Sequence, residues 1–167
     1  MATRYLHTIT WDAPLDAVYV MITDPAYQER RAQAGSPLRA ESSVTPAPDG
    51  ATISVFRLMR IDPPGFIKNF VGDSIGIQET QTWNGRTGAT LLVEIQRQPG
   101  DVRGTIRLAE ADGRTTVTVD AQVAVRVPLV GGKVEGYVAS ILEKLLNHDD
   151  ELGRAWLSSP SSDAASG

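Results

Sequence analysis

From Leu38 to Val127 apolar and polar residues alternate with a period of two, interrupted at intervals by turn residues. That period sends successive side chains to opposite faces of an extended chain, so this stretch predicts a series of β-strands. Six are expected, at about Leu38 to Thr45, Ala51 to Ile61, Ile75 to Trp83, Ala89 to Gln96, Val102 to Glu110 and Thr115 to Val127. Most of the breaks are short and carry turn chemistry: Pro46-Ala47-Pro48-Asp49-Gly50, Asn84-Gly85-Arg86-Thr87-Gly88, Pro99-Gly100-Asp101 and Ala111-Asp112-Gly113-Arg114. Short turns join antiparallel neighbours, which predicts a meander. In the last strand Val117, Val119, Ala121, Val123, Val125 and Val127 share one face, against Thr116, Thr118, Asp120, Gln122 and Arg126. The sheet therefore has an apolar face that needs a cover.

The flanking segments supply it. Thr3 to Trp11 alternates Tyr5, His7, Ile9 and Trp11 against Arg4, Leu6, Thr8 and Thr10, a first strand with an aromatic-rich face. Two short helices follow. The first carries the stripe Leu15, Val18, Tyr19, Ile22 with Pro14 near its first position, and the second runs from Ala26 to about Gln33 behind Thr23-Asp24-Pro25. In the second, Tyr27 is expected to anchor, with Glu29, Arg30 and Arg31 in water. Beyond Pro128 and Gly131-Gly132 the period becomes helical. Val134, Val138, Ile141, Leu145, His148, Leu152 and Trp156 fall within roughly 40° of one line at 100° per residue. A helix to about Trp156 spans roughly 39 Å at 1.5 Å per residue, enough to cross the whole sheet. The expected fold is α+β: a curved antiparallel seven-stranded sheet, two short helices after strand 1, and a long C-terminal helix covering the concave face. Residues 1–157 form one domain on this reading, and the Ser, Ala, Pro and Gly residues of 158–167 form a disordered tail.

One connection is no tight turn. Asp62-Pro63-Pro64-Gly65-Phe66-Ile67-Lys68-Asn69-Phe70-Val71-Gly72 is long and apolar, and one helical turn places Phe66, Ile67, Phe70 and Val71 together. Two readings stand: ordinary core, or a lid over a cavity mouth hinged at Gly65 and Gly72, with exposed phenylalanines offering transient membrane contact.

Composition narrows the classes. The 167 residues, 41% hydrophobic and 22% charged, suit one globular domain with a real core. A net charge of -4, with arginines scattered, gives no basic patch for nucleic acid. The chain has no cysteine, and no His, Asp and Glu spacing suggests a metal, so no metal and no cofactor are expected. No basic-then-apolar leader and no run of about 18 apolar residues is present, which points to a cytoplasmic protein.

Strand, two short helices, six antiparallel strands and a long helix is the element order of the START-like, or Bet v 1-like, helix-grip superfamily that includes polyketide cyclases and lipid-transfer domains. Closer still, Thr23-Asp24-Pro25-Ala26-Tyr27, Glu79-Thr80-Gln81-Thr82-Trp83, Pro99 with Gly104-Thr105, and Val127-Pro128-Leu129-Val130-Gly131-Gly132-Lys133-Val134-Glu135 with Trp156-Leu157 resemble the DUF2505 domain of uncharacterised actinobacterial proteins. The resemblance covers roughly residues 3 to 157. It implies a cavity between sheet and helix that holds a lipid, polyketide or other hydrophobic molecule, and it carries over no catalytic residue.

Candidate ligand-binding residues follow from the faces that would line such a cavity. Glu79, Gln81 and Trp83 share a face with Ile75 and Ile77. Turned inward, Glu79 and Gln81 fix a ligand's polar end, and burial would raise the Glu79 pKa towards that of a general acid or base. Turned outward they face water; otherwise they pair across strands with Arg57 or Arg107. His7 and His148 approach from opposite walls, as an acid-base pair or as two structural histidines. Tyr5 and Tyr137 offer hydroxyls or pack as rings, and Ile141 and Leu145 supply apolar wall. Ser140 has no visible base partner, which argues against a hydrolase triad. The function readings are a non-enzymatic carrier or sensor of a small hydrophobic ligand, a polyketide cyclase-like enzyme, and a protein-interaction module with a filled cavity. No oligomeric state is implied.

Overall fold

In the computed structural model, which describes residues 2–159, the strand with the cleanest alternation lies between the first strand of the chain and the strand that immediately precedes it in sequence. This is β7 (Arg114–Val125), whose inward residues Val117, Val119, Ala121, Val123 and Val125 are all buried. On one side it pairs with β6 (Gly100–Ala111) and on the other with β1 (Ala2–Trp11), both antiparallel. From β6 the sheet continues as the expected meander through β5 (Gly88–Ile95), β4 (Ser74–Asn84), β3 (Gly50–Arg60) and β2 (Arg39–Ala47). The order is β1-β7-β6-β5-β4-β3-β2. β2 is an edge strand, and there Pro46 can sit without breaking an inner ladder.

The helices all appear where the periodicity places them. α1 (Leu15–Ile22) and α2 (Pro25–Ala32) follow β1, and α2 is capped by Asp24, whose carboxylate accepts from the Ala26 amide at 2.8 Å. The apolar connection forms α3 (Gly65–Val71), and α4 (Gly131–Ser158) is the long cover. Ser158, assigned to the tail from sequence, ends α4 instead; residues 160–167 of the expected tail lie outside the described residues. Glu135 pins α4 to the sheet: one carboxylate oxygen accepts from Thr3 Oγ1 at 2.8 Å and the other from the Val125 amide at 3.0 Å. It is therefore buried yet fully bonded.

The buried face of α4 coincides with the apolar stripe only in part. Val134, Glu135, Val138, Leu145, Asp149 and Gly153 are the buried residues, a face turned by roughly 50° from the line through Val134 and Leu152 on an ideal wheel. The rotation takes His148 out into solvent and brings Asp149 in.

Gly104 sets the spacing of the sheet under this helix. It faces Ala121 in register, and a Cβ on it would lie 2.2 Å from the Asp120 carbonyl oxygen and 2.5 Å from Ala121 Cα. Those atoms are backbone and cannot swing away. Gly104→Val should therefore lower stability by about 1–3 kcal/mol or more, read as a lower urea midpoint with unchanged m-value. A midpoint within error of wild type would show that the two strands separate without cost.

Candidate functional site

α2 has eight residues, and spacing by one and four places Tyr27, Gln28, Arg31 and Ala32 on its inner face. Arg31, expected in water, is only 7% exposed. It lies inside because all its nitrogens are used: Nε donates to Asp149 Oδ2 at 2.9 Å, Nη1 to Gln28 Oε1 at 3.1 Å, and Nη2 to both oxygens of Glu79 at 2.7 and 3.0 Å. The planar guanidinium thus joins α2, β4 and α4 at one point. Glu29 and Arg30 are exposed as expected.

From Glu79 the bonding continues along β4. Gln81 Nε2 donates to Glu79 Oε1 at 2.6 Å, and Trp83 Nε1 donates to Gln81 Oε1 at 3.0 Å. Alternate strand residues project to the same face, so this relay follows directly from the spacing 79, 81, 83. Arg57 on β3 approaches Glu79 Oε2 at 3.6 Å and donates to the carbonyls of Arg31 at 2.9 Å and Ala32 at 3.3 Å. Those carbonyls end α2, where a cation offsets the helix dipole. Glu79 and Gln81 therefore point inward, and the Arg57 pairing is present as well. Arg107 is exposed.

The two carboxylates are driven in opposite directions. Burial pushes Glu79 up, but Arg31, Arg57 and the Gln81 amide outweigh it and hold the group below its ordinary range. This corrects the expectation of a raised Glu79: two guanidiniums keep it ionised, so it is a poor general acid or base. Asp149 goes the other way. Burial raises it, Arg31 and Arg57 recover only part, and Glu79 adds to the rise. Its Oδ1 is buried and has no hydrogen-bond partner among the described residues.

This cluster forms one wall of a cavity of about 80 Å³ between the sheet and the C-terminal half of α4. Opposite walls are apolar, among them Ile9, Trp11, Val93, Ile106, Val117 and Leu145. The half-buried Tyr5, Leu142 and Leu146 mark its side nearest solvent. Of the residues singled out from sequence, Tyr5, Glu79, Gln81, Trp83 and Leu145 line this space. His7 stands behind Tyr5, stacked at 6.1 Å and 7°, with Nδ1 3.4 Å from the Tyr5 hydroxyl. Burial, then the Glu143 charge, push that hydroxyl up to about 12, so it remains a donor. Ile141 packs half-buried against the core, and exposed His148 lies beside Arg30 and Glu151 in a surface depression. The histidines are not brought together.

Tyr137 and Val71 line a second cavity of about 20 Å³ beneath the N-terminal half of α4. Ile67 is 1% exposed, whereas Phe66 is 45% exposed with Lys133 Nζ 5.1 Å above its ring. The Phe70 side chain lies outside the described residues. α3 thus combines a core anchor with an exposed ring, and neither Phe66 nor Ile67 borders the larger cavity.

Sequence reasoning missed Gln28, Arg31 and Asp149. Their signal was positional: Gln28 and Arg31 flank the anchored Tyr27 at helical spacing, and Asp149 sits four residues after Leu145 and four before Gly153. Among the described residues no group of three His, Cys, Asp or Glu side chains could hold a metal ion, and no helix is long and apolar enough to cross a membrane.

Solved structures share this architecture. The chain is similar to the Zhui aromatase/cyclase of Streptomyces sp. R1128, with a TM-score of 0.64 at 13% identity, covering 93% of each chain. It is also similar to a START superfamily protein of Mycobacterium smegmatis, with a TM-score of 0.58 at 13% identity over 89% of this chain and 94% of that one. At these identities the likeness is of fold. By sequence it is 24% identical over 118 residues to an uncharacterised protein of Mycobacterium tuberculosis, covering 65% of this chain and 68% of the other. Residues 6–157 match the model of a family described as a protein of unknown function, DUF2505, and with nearly the whole domain so matched the chain belongs to that family.

Proposed function

We propose that the protein binds a small hydrophobic molecule in the cavity between the sheet and α4, as a carrier or sensor. The observation that carries this reading is an apolar cavity with a bonded polar cluster in one wall, in which Asp149 Oδ1 is the buried side-chain acceptor left without a partner among the described residues. Apolar walls hold a ligand's body by burial, and a few fixed polar groups select its end. The likeness to an aromatase/cyclase raises an enzymatic alternative. Glu79 is unsuited to proton transfer, and neither histidine lines the cavity, so that alternative would rest on Asp149.

Size bears on the choice. About 80 Å³ is less than the roughly 150 Å³ of an engineered cavity that holds benzene. A ring-sized ligand therefore requires Leu142 and Leu146 to yield at the half-buried side, and a polycyclic one requires more.

Titration with toluene, followed by amide chemical shifts and thermal unfolding, tests the reading. Wild type should bind at one site with the largest shifts at Val93, Val117 and Leu145, and its Tm should rise. Ala121→Leu fills the space from β7 and should abolish binding while the protein remains folded. No saturable binding to wild type, or equal binding to the filled variant, would refute a ligand site there.

A further inference from the structure

We infer that the cavity selects a neutral ligand whose buried end is a hydroxyl, donated to Asp149 Oδ1; this rests on the cavity being the ligand site. Asp149 is 6% exposed, lines the cavity, and spends one oxygen on Arg31 Nε while the other has no partner among the described residues. A buried carboxylate oxygen without a donor is a costly arrangement, and a ligand that brings the donor removes the cost only when bound.

Charge decides which donor fits. The groups facing one another here are Arg31 from α2, Arg57 from β3, Glu79 from β4 and Asp149 from α4, two cations and two anions. The cluster is balanced without help. An ammonium ligand would add an unmatched charge to a buried site, and a carboxylate ligand would meet the free face of Asp149 and be repelled. A phenolic or alcoholic hydroxyl brings a donor and no charge.

The Arg31 bond also fixes the polarity of the site. In Asp149→Asn the amide oxygen must remain on Arg31 Nε–H, because the amide nitrogen cannot accept there. The NH2 group then replaces Oδ1 and turns an acceptor into a donor. The ligand preference should invert with it.

The test compares phenol, anisole and toluene, which share a ring and differ at one substituent, by thermal shift and NMR titration against wild type and Asp149→Asn. Wild type should bind phenol about tenfold or more tighter than toluene, the ratio expected of one hydrogen bond to a charged acceptor. Benzoate should not bind. In Asp149→Asn the preference for phenol over anisole should shrink to within about threefold or reverse, as expected once the charged acceptor is gone. If toluene binds wild type but phenol binds no tighter, the hydroxyl assignment is overturned and the hydrophobic site stands. An unchanged phenol-to-anisole ratio in the variant overturns the role of Asp149. If none of the three binds, the cavity is not a ligand site and the inference falls with it.

Discussion

Arg31→Met should lower the folding free energy by about 3–5 kcal/mol at pH 7, measured as a drop in the urea midpoint, because it removes the cation shared by two buried carboxylates. Asp149 would lose its single hydrogen bond, and Glu79 would keep only Gln81 and the longer contact from Arg57 at 3.6 Å. The larger part of the cost is the charge left behind. Adding Asp149→Leu to Arg31→Met restores the balance of one cation with one anion, and the double variant should be more stable than Arg31→Met alone. Simple additivity of the two losses would show that the residues do not act as a unit.

The same cluster gives acid stability a definite shape. Glu79 is depressed in the fold, so its contribution is complete above the unfolded carboxylate value of about 4.3 and is lost as pH falls through the folded value. Asp149 is raised, so its term has the opposite sign: present at low pH, lost as pH rises through its folded value. The two partly cancel during acidification. Asp149→Asn removes the opposing term, and its stability should fall more steeply than that of wild type between neutral pH and pH 3. A parallel pH profile would refute the assignment of opposite shifts.

Trp11→Ala should cost about 3–5 kcal/mol, and the loss should be recovered in part by added indole. Trp11 lies against α4 where Gly153 provides the only fit: a Cβ on Gly153 would stand 2.3 Å from the Trp11 ring. The indole also donates to the Asp150 carbonyl at 3.1 Å and lines the larger cavity. Truncation joins the vacated space to that cavity, so indole should bind the variant and raise its Tm by more than it raises that of wild type. A loss below about 1 kcal/mol would mean that α4 settles onto the sheet and closes the gap.

Much of the fold could be read because its strands obey a simple rule. The alternation seen in β7 and β1 marks seven strands, and the turn residues between strands make the last six an antiparallel meander; the pairing of β1 with β7 has no local signal. The site was only half legible, because three of its members are charged or polar residues on helices. Arg31 reads as a solvated face when α2 is taken alone; only Glu79 and Asp149, 48 and 118 residues away, explain its burial. Glu135, Asp149 and Gly153 displaced the buried face of α4 from its apolar stripe, so a wheel weighted by hydrophobicity selected His148 in place of its neighbour. Glu79 and Gln81 were identifiable because they interrupt an apolar face, but the direction of the Glu79 shift depended on guanidiniums that no local pattern reveals.

The pairing of β1 with β7 also governs how the chain must be born. Residues 2–11 find their partners only in residues 115–124, so a nascent chain holds Ile9 and Trp11 without a sheet until the ribosome has released β7. At about 5–20 residues per second that wait is roughly 5–25 s. Throughout it the meander from β2 to β6 can assemble, yet its apolar face has neither its last strand nor α4. The interval in which the protein is open to chaperones, or to misassociation with other nascent chains, is thus set by sheet order and not by the intrinsic speed of any hairpin.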